Sequence, residues 1–478
     1  MENLPYSIEK WRQHVATDPL EGHDISSLKD SATAFSMEPS FCAGTGLNIL
    51  RSYICPDIET ADREVVFVTC FWATKSESRA VLCDALRKLS NKVIKQRESS
   101  PNPTKIGNIK VYICISSVSL LQKLRHTESE DGYVYDPVEW STKLELPTPK
   151  EIPGLDLTVK SIFIRPFSVM HPKFVIVDRK FVWVPSCNVS WESWYEGAFR
   201  LKGSIVEKFY KFWAEFWNPA VLHGAGDITF PAVSDVNLPL LNGNDHRSYK
   251  PTGRFVKSFP DISANQEIQS LFLPSSHHQD PGFRPGFLRL PRTEPRTPLN
   301  AFTKFLFANA ESDIYIMTPN ITAKPVIRAL AEALQRGVNV TIVTNTNLMV
   351  IEQLATAGTT TTHCIKLLRR LHKNMLHGWA PTPEADEAGV GAMKLGKLMI
   401  RNWKVEANRD GDAFAKSHLK LTVVDKKVIL FGSGNMDRAS WYTSQEVGVA
   451  LYSAEVAKRV LDGEILEDIE RCSGIFYG

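Results

Sequence analysis

Two segments far apart in the chain carry the same polar frame on an apolar strand. "HPKFVIVD" spans 171–178 and "HLKLTVVD" spans 418–425. In a strand, residues i and i+2 share a face, so His171 and Lys173 leave the core together, as do His418 and Lys420. The likeness runs on downstream. A serine follows fifteen residues after each histidine (Ser186, Ser433) and an asparagine seventeen after (Asn188, Asn435). A glutamate comes later, Glu196 at 25 residues and Glu446 at 28. One such frame fixes only three positions; two frames with equal offsets to Ser and Asn demand that the chain build the same local structure twice.

The surrounding order of elements repeats as well. Residues 44–72 read as helix, turn and buried strand, and 298–320 read the same way. A helix at 76–96 and a strand at 109–116 are matched by the helix and strand within 324–345. Residues 157–167 parallel 397–407. His171 and His418 lie 247 residues apart and Asn48 and Asn300 lie 252 apart, a difference that unequal loops absorb. This is the signature of an internal duplication. Strands alternating with amphipathic helices predict an α/β fold of two duplicated α/β/α sandwich lobes, with mixed or largely parallel sheets. The expected division is an N-terminal arm at 1–43, a first lobe at 44–220, a connector with one or two strands at 221–297 and a second lobe at 298–478. Insertions are expected at 123–155 and at about 346–392. The aromatic segment "FYKFWAEFW" (209–217) has helical spacing and is expected in the core.

Composition narrows the function. A net charge of +3 does not support a nucleic-acid partner, so any phosphate-binding surface must be local. Eight scattered cysteines without a CxxC pair read as buried free thiols in a reducing compartment and offer no zinc spacing. His277 and His278, on a proline-rich stretch, read as solvated. The N-terminal residues lack the basic and apolar regions of a signal peptide, and no run of eighteen apolar residues occurs. A cytoplasmic monomer is expected, touching membranes only from the surface. The stretch 366–379, "KLLRRLHKNMLHGW", is basic and amphipathic and reads as a solvated face or as a dock for anionic lipid. "SWESWYEGAF" (190–199) reads as core or as lining of a cleft mouth.

The repeated residues suit a phosphodiester. Lys173 and Lys420 supply positive charge for non-bridging oxygens, and Ser186, Asn188, Ser433 and Asn435 supply neutral donors for the same oxygens. Donors of this kind act where charge gathers in a pentacovalent transition state. Histidine titrates near neutrality. Two histidines can divide the work, one attacking phosphorus and one protonating the leaving alkoxide, then deprotonating water or an alcohol. Glu196 and Glu446 are expected each to orient the imidazole of its own half.

This pairing resembles the phospholipase D superfamily, whose signature is the doubled HKD motif. The resemblance covers roughly 44–220 and 298–472, and "GSGNMDRASWYTSQEVGVAL" looks like its cardiolipin synthase and phospholipase D branch. It implies two lobes packed with pseudo-twofold symmetry, both motifs in one cleft, and catalysis without metal or other cofactor. It implies catalytic roles for His171, Lys173, His418 and Lys420, with His171 as nucleophile and His418 as general acid. Asp178 and Asp425 would hydrogen-bond behind the site. Both motifs are intact, so the residues themselves leave the order of the histidines open. The first copy departs from the family's GSxN, with Pro185 in place of the glycine. The bacterial cardiolipin synthases carry N-terminal membrane helices, for which this sequence has no apolar run. The expected substrate is a phospholipid, with water or an alcohol as acceptor; a nuclease of the same superfamily and a non-catalytic phospholipid-binding scaffold are the rival readings.

Overall fold

The computed structural model describes residues 4–18, 20, 33–117, 132–164, 168–223, 229–231, 257–258, 267–275, 293–348, 350–378, 395–404 and 414–478. His277 and His278 lie outside the described residues.

One strand order occurs twice. In the first half the neighbours run Thr33–Thr45, Tyr195–Lys202, Phe181–Pro185, Phe174–Val177, Glu64–Phe71, Ile109–Ser117, Leu155–Ser161, Tyr133–Tyr135. In the second they run Ile268–Ser275, Glu446–Tyr452, Val428–Gly432, Leu421–Val424, Asp313–Met317, Asn339–Asn345, Leu398–Trp403, Ser473–Tyr477. The directions match too. In each half three central strands are parallel and the remaining neighbours pair antiparallel. The parallel strands are joined by crossover helices, as parallel pairing requires. Glu77–Ser99 buries Leu82, Leu86, Leu89 and Val93, and Lys324–Gln335 buries Val326, Ile327, Leu330 and Leu334; this three-and-four spacing makes one apolar stripe for the sheet.

Two segments depart from the sequence reading and a third sharpens it. The 1–43 stretch is not merely an arm: Ile8–Thr17 is a helix and Thr33–Thr45 a strand that joins the two sheets. Its first residues pair with Ile268–Leu271 and its last with Tyr195–Arg200, across an irregularity between Met37 and Ser40. The 221–297 connector, expected to hold one or two strands, contributes the strand Ile268–Ser275, whose Leu271, Phe272 and Leu273 are fully buried. The helix expected at the start of the first lobe is interrupted by a wider turn, Leu50–Ile54, before Pro56, whereas its counterpart Pro298–Ala308 is regular.

The seam between the halves is apolar. Phe41, Phe199 and Phe431 pack with ring centroids 4.7–6.0 Å apart. A Cβ at Gly197 would lie 2.7 Å from Leu419 Cδ1, so only glycine lets the two sheets approach here. Gly197 follows Glu196 and Leu419 follows His418, so this close approach also sets the spacing of the site. Helix Ile205–Trp217 buries its aromatic face, with Phe209 and Phe212 edge-on to Phe174 of the first motif strand.

Candidate active site

Each motif strand ends in a tight hairpin. Asp178 and Arg179 have φ of 52° and 57°, and Asp425 and Lys426 have 51° and 53°. Two successive positive φ values closed by a bond from Lys180 N to Val177 O, or Lys427 N to Val424 O, give the pattern of a type I′ turn. That turn aims each aspartate backward. Asp178 accepts from the backbone N–H groups of Asp62, Arg63 and Glu64 at 2.7–3.0 Å. Asp425 accepts from those of Glu311, Ser312 and Asp313 at 2.7–2.9 Å. The motif aspartates therefore tie the turn to the start of the neighbouring antiparallel strand and lie behind the site. Burial pushes the Asp425 carboxyl upward, but the three backbone donors outweigh it and hold the group below its ordinary range. Replacing Asp425 with alanine strands those three donors; the expected cost is about 3 kcal/mol or more of stability, read by denaturant unfolding, with Asp425→Asn intermediate.

At the other end of each strand the two halves exchange partners. His171 Nδ1 lies 2.9 and 2.8 Å from the two oxygens of Glu446, and His418 Nδ1 lies 2.9 Å from Glu196 Oε1. The sequence reading paired each glutamate with the histidine of its own half; the structure pairs them across the seam. Backbone contacts impose the crossing. His171 N donates to Gln445 O and Gln445 N to Val169 O, while His418 N donates to Tyr195 O and Tyr195 N to Lys416 O. Each histidine segment thus runs in register with the residue preceding the other half's glutamate.

The serines also change role. Ser186 Oγ donates to Glu196 Oε2 and accepts from Gly197 N at 3.0 Å. Ser433 Oγ donates to Glu446 Oε2 at 2.5 Å and accepts from Val447 N at 3.0 Å. With their hydroxyl protons given to carboxylates, they brace the orienting groups instead of facing a phosphate. Ser440, which the repeat did not flag, adds a 2.6 Å bond to Glu446 Oε1 and in turn accepts from Asn435 N. Asn188 Oδ1 accepts from Phe71 N, and its amide nitrogen donates to no partner among the described residues. Asn435 Nδ2 donates to Asp437, and Asn435 Oδ1 is buried without a partner among the described residues. Trp194 packs its ring 5.1 Å from that of His418, so part of the 190–199 stretch does stand at the site.

Electrostatics set the protonation states. Burial drives His418 down to about 4; Glu196 opposes this and Lys420 reinforces it. Burial lowers His171 too, against the pull of Glu446. Burial raises both glutamates, but the facing histidine, a lysine and a serine outweigh it and hold each below the usual range. At neutral pH each pair is therefore a carboxylate with a neutral imidazole: Nδ1–H donates to the carboxylate and Nε2 keeps its lone pair. Lys173 and Lys420 are buried, and each ammonium donates to the carbonyl of the histidine two residues before it, at 2.9 and 2.7 Å. Burial lowers Lys420 to about 7, with Glu196 opposing and Lys173 adding to the shift. Among the described residues, no group of three or more His, Cys, Asp or Glu side chains is placed to hold a metal ion.

A sequence profile described as cardiolipin synthase, PLD-like domain, matches residues 305–463. No curated protein sequence matches the chain. Among solved structures, the phosphatidylserine synthase of Haemophilus influenzae Rd KW20 aligns with a TM-score of 0.51 at 14% identity, over 94% of this chain and 91% of that one. A phospholipase D family member, Nuc from Salmonella typhimurium, aligns with a TM-score of 0.26 at 17% identity, over 38% of this chain and 92% of that one. The profile lies across the second motif, so residues 305–463 are similar to a phospholipase D-like domain, and the chain shares its overall fold with the synthase.

Proposed function

We propose that the protein is a phospholipase D-type phosphodiesterase acting on a phospholipid. The observation that carries this reading is the crossed pair of carboxylate-bound imidazoles with two buried lysines beside them. His171 Nε2 attacks phosphorus, the P–O bond to the first alcohol breaks, and a phosphohistidine forms. His418 protonates the departing alkoxide, then takes a proton from water or an acceptor alcohol, whose oxygen attacks phosphorus and releases His171. Two contrasts support His171 as nucleophile: its side chain is 15% exposed against 8% for His418, and both oxygens of a twice-braced Glu446 hold it. His418 is neutral before substrate arrives. The phosphodiester anion favours the imidazolium, so the proton enters with substrate. Lys173, Lys420 and the Asn188 amide are the donors available to the non-bridging oxygens. A phospholipid is favoured over nucleic acid by the cardiolipin synthase-type profile and by the near-neutral chain.

The test is a side-by-side assay of purified protein on phosphatidylglycerol, phosphatidylserine, cardiolipin and single-stranded DNA. Release or transfer of a phosphatidyl group is expected; turnover of DNA alone would overturn the lipid assignment. In the same assay kcat/KM should fall more steeply above about pH 7 than below it, because free Lys420 loses its proton there. Saturating phosphodiester raises that pKa, so kcat should not show the break.

A further inference from the structure

The helix Thr361–Gly378, on the outside of the second lobe, contains four lysines and arginines, three histidines and no aspartate or glutamate. Ile365, Leu368 and His372 are buried and form the inward stripe, where His372 is pinned by Tyr477 Oη at 3.0 Å and Gly396 O at 2.9 Å. Lys366, Arg370 and Lys373, spaced by four and three residues, form an exposed stripe on the other side. Among the described residues, no carboxylate lies within ion-pair distance of these cations. Arg369 and Lys373 lie 5.3 and 5.8 Å from the ring centroids of Phe476 and Tyr477, contacts that leave their charge unneutralised. The neighbouring helix exposes Glu332 between Arg328 and Arg336, so it does not reverse the sign. Apolar side chains border the charge: Leu367 is 39% exposed and Leu376 51%, and the adjoining edge strand leaves Ile475 61% exposed.

We propose that this face docks the protein on an anionic lipid bilayer, the cations meeting phosphate headgroups while Leu367 and Leu376 enter the interface. A cationic stripe edged by leucines is the surface chemistry such a bilayer binds. Charge complementarity selects it over a neutral protein partner. The surface stands whether or not the cleft turns over a lipid, because docking needs none of the site residues.

The experiment is co-sedimentation of the full chain with vesicles of phosphatidylcholine alone and of phosphatidylcholine and phosphatidylglycerol in equal parts. Wild type should bind only the anionic vesicles. Lys366→Glu, Arg370→Glu and Lys373→Glu together should weaken that binding by roughly 100-fold. The milder triple glutamine variant should weaken it less, and both should keep the wild-type thermal transition because the side chains are exposed. Equal binding to both vesicles, anionic binding that survives charge reversal, or capture of single-stranded RNA in place of vesicles would each overturn the proposal. Loss of vesicle binding with an intact His171-dependent activity on a soluble phosphodiester separates this surface from the proposed reaction.

Discussion

Replacing His171 with asparagine should abolish turnover and leave no phosphoenzyme to trap. Replacing His418 with asparagine should abolish turnover too, yet allow a phosphoenzyme to accumulate. Both losses should be about 10⁴-fold or more, as when a nucleophile or its general acid–base partner is removed from a preorganised site. The difference follows from the work each ring does. In the proposed reaction only His171 forms a bond to phosphorus. A p-nitrophenyl phosphodiester has a leaving group that departs without a proton, so His418→Asn can complete the first half of the reaction. It stalls at the second, where nothing takes the proton from water. Rapid acid-free quench and detection of phosphohistidine reads both variants. The mirror result, with phosphoenzyme in His171→Asn, would exchange the two roles. Full activity in either variant would defeat the two-histidine reaction. Neither substitution should unfold the chain, since asparagine keeps a donor near the position of Nδ1.

What the sequence made legible was whatever has a fixed local offset. His, Lys and Asp lie within one strand and its turn, and Ser and Asn sit on the next hairpin arm, so their spacing survives in both copies. The repeated strand order was legible for the same reason: each crossover unit carries its own apolar period. The partner of each carboxylate was not. Glu196 is 25 residues from His171 and 222 from His418, and chain distance favours the wrong partner. The crossing is decided by the seam, where Met170 bridges Gln445 and Tyr195 bridges Ser417, and no local pattern encodes a contact between halves. The serines misled because a hydroxyl is chemically fit to hold a phosphate or to brace a carboxylate, and only geometry chooses. Thr33–Thr45 was hidden by Glu38 and Pro39, which sit at the irregularity between its two pairings and break the alternation. For Ile268–Ser275 a strand was expected somewhere in the connector, but its proline-rich neighbours hid its place, although "LFL" within it was a core signal.

The crossing itself makes the sharper prediction, because an in-half and a cross-half arrangement assign opposite phenotypes to the same substitutions. Glu446→Gln should slow formation of the phosphoenzyme, since Glu446 is the group that holds His171. Glu196→Gln should leave formation nearly intact with a p-nitrophenyl phosphodiester and slow its breakdown, since it holds His418. Each loss should be on the order of 10²- to 10⁴-fold on the affected step, the range seen when a carboxylate that fixes an imidazole tautomer becomes an amide. Glutamine preserves shape, and its carbonyl still accepts one bond. The serine donors, Ser186 in one site and Ser433 or Ser440 in the other, claim that carbonyl, so the N–H₂ faces the imidazole Nδ1. The imidazole then loses its preference for Nδ1–H, and the Nε2 lone pair is no longer kept for phosphorus. Pre-steady-state bursts separate the two steps. A normal burst with slow steady state is expected in Glu196→Gln, and a missing or slowed burst in Glu446→Gln. The reverse assignment would mean that each glutamate serves the histidine of its own half during the reaction. A double variant closes the argument: adding Glu446→Gln to His171→Asn should cost nothing further, because groups that act through one ring are not additive.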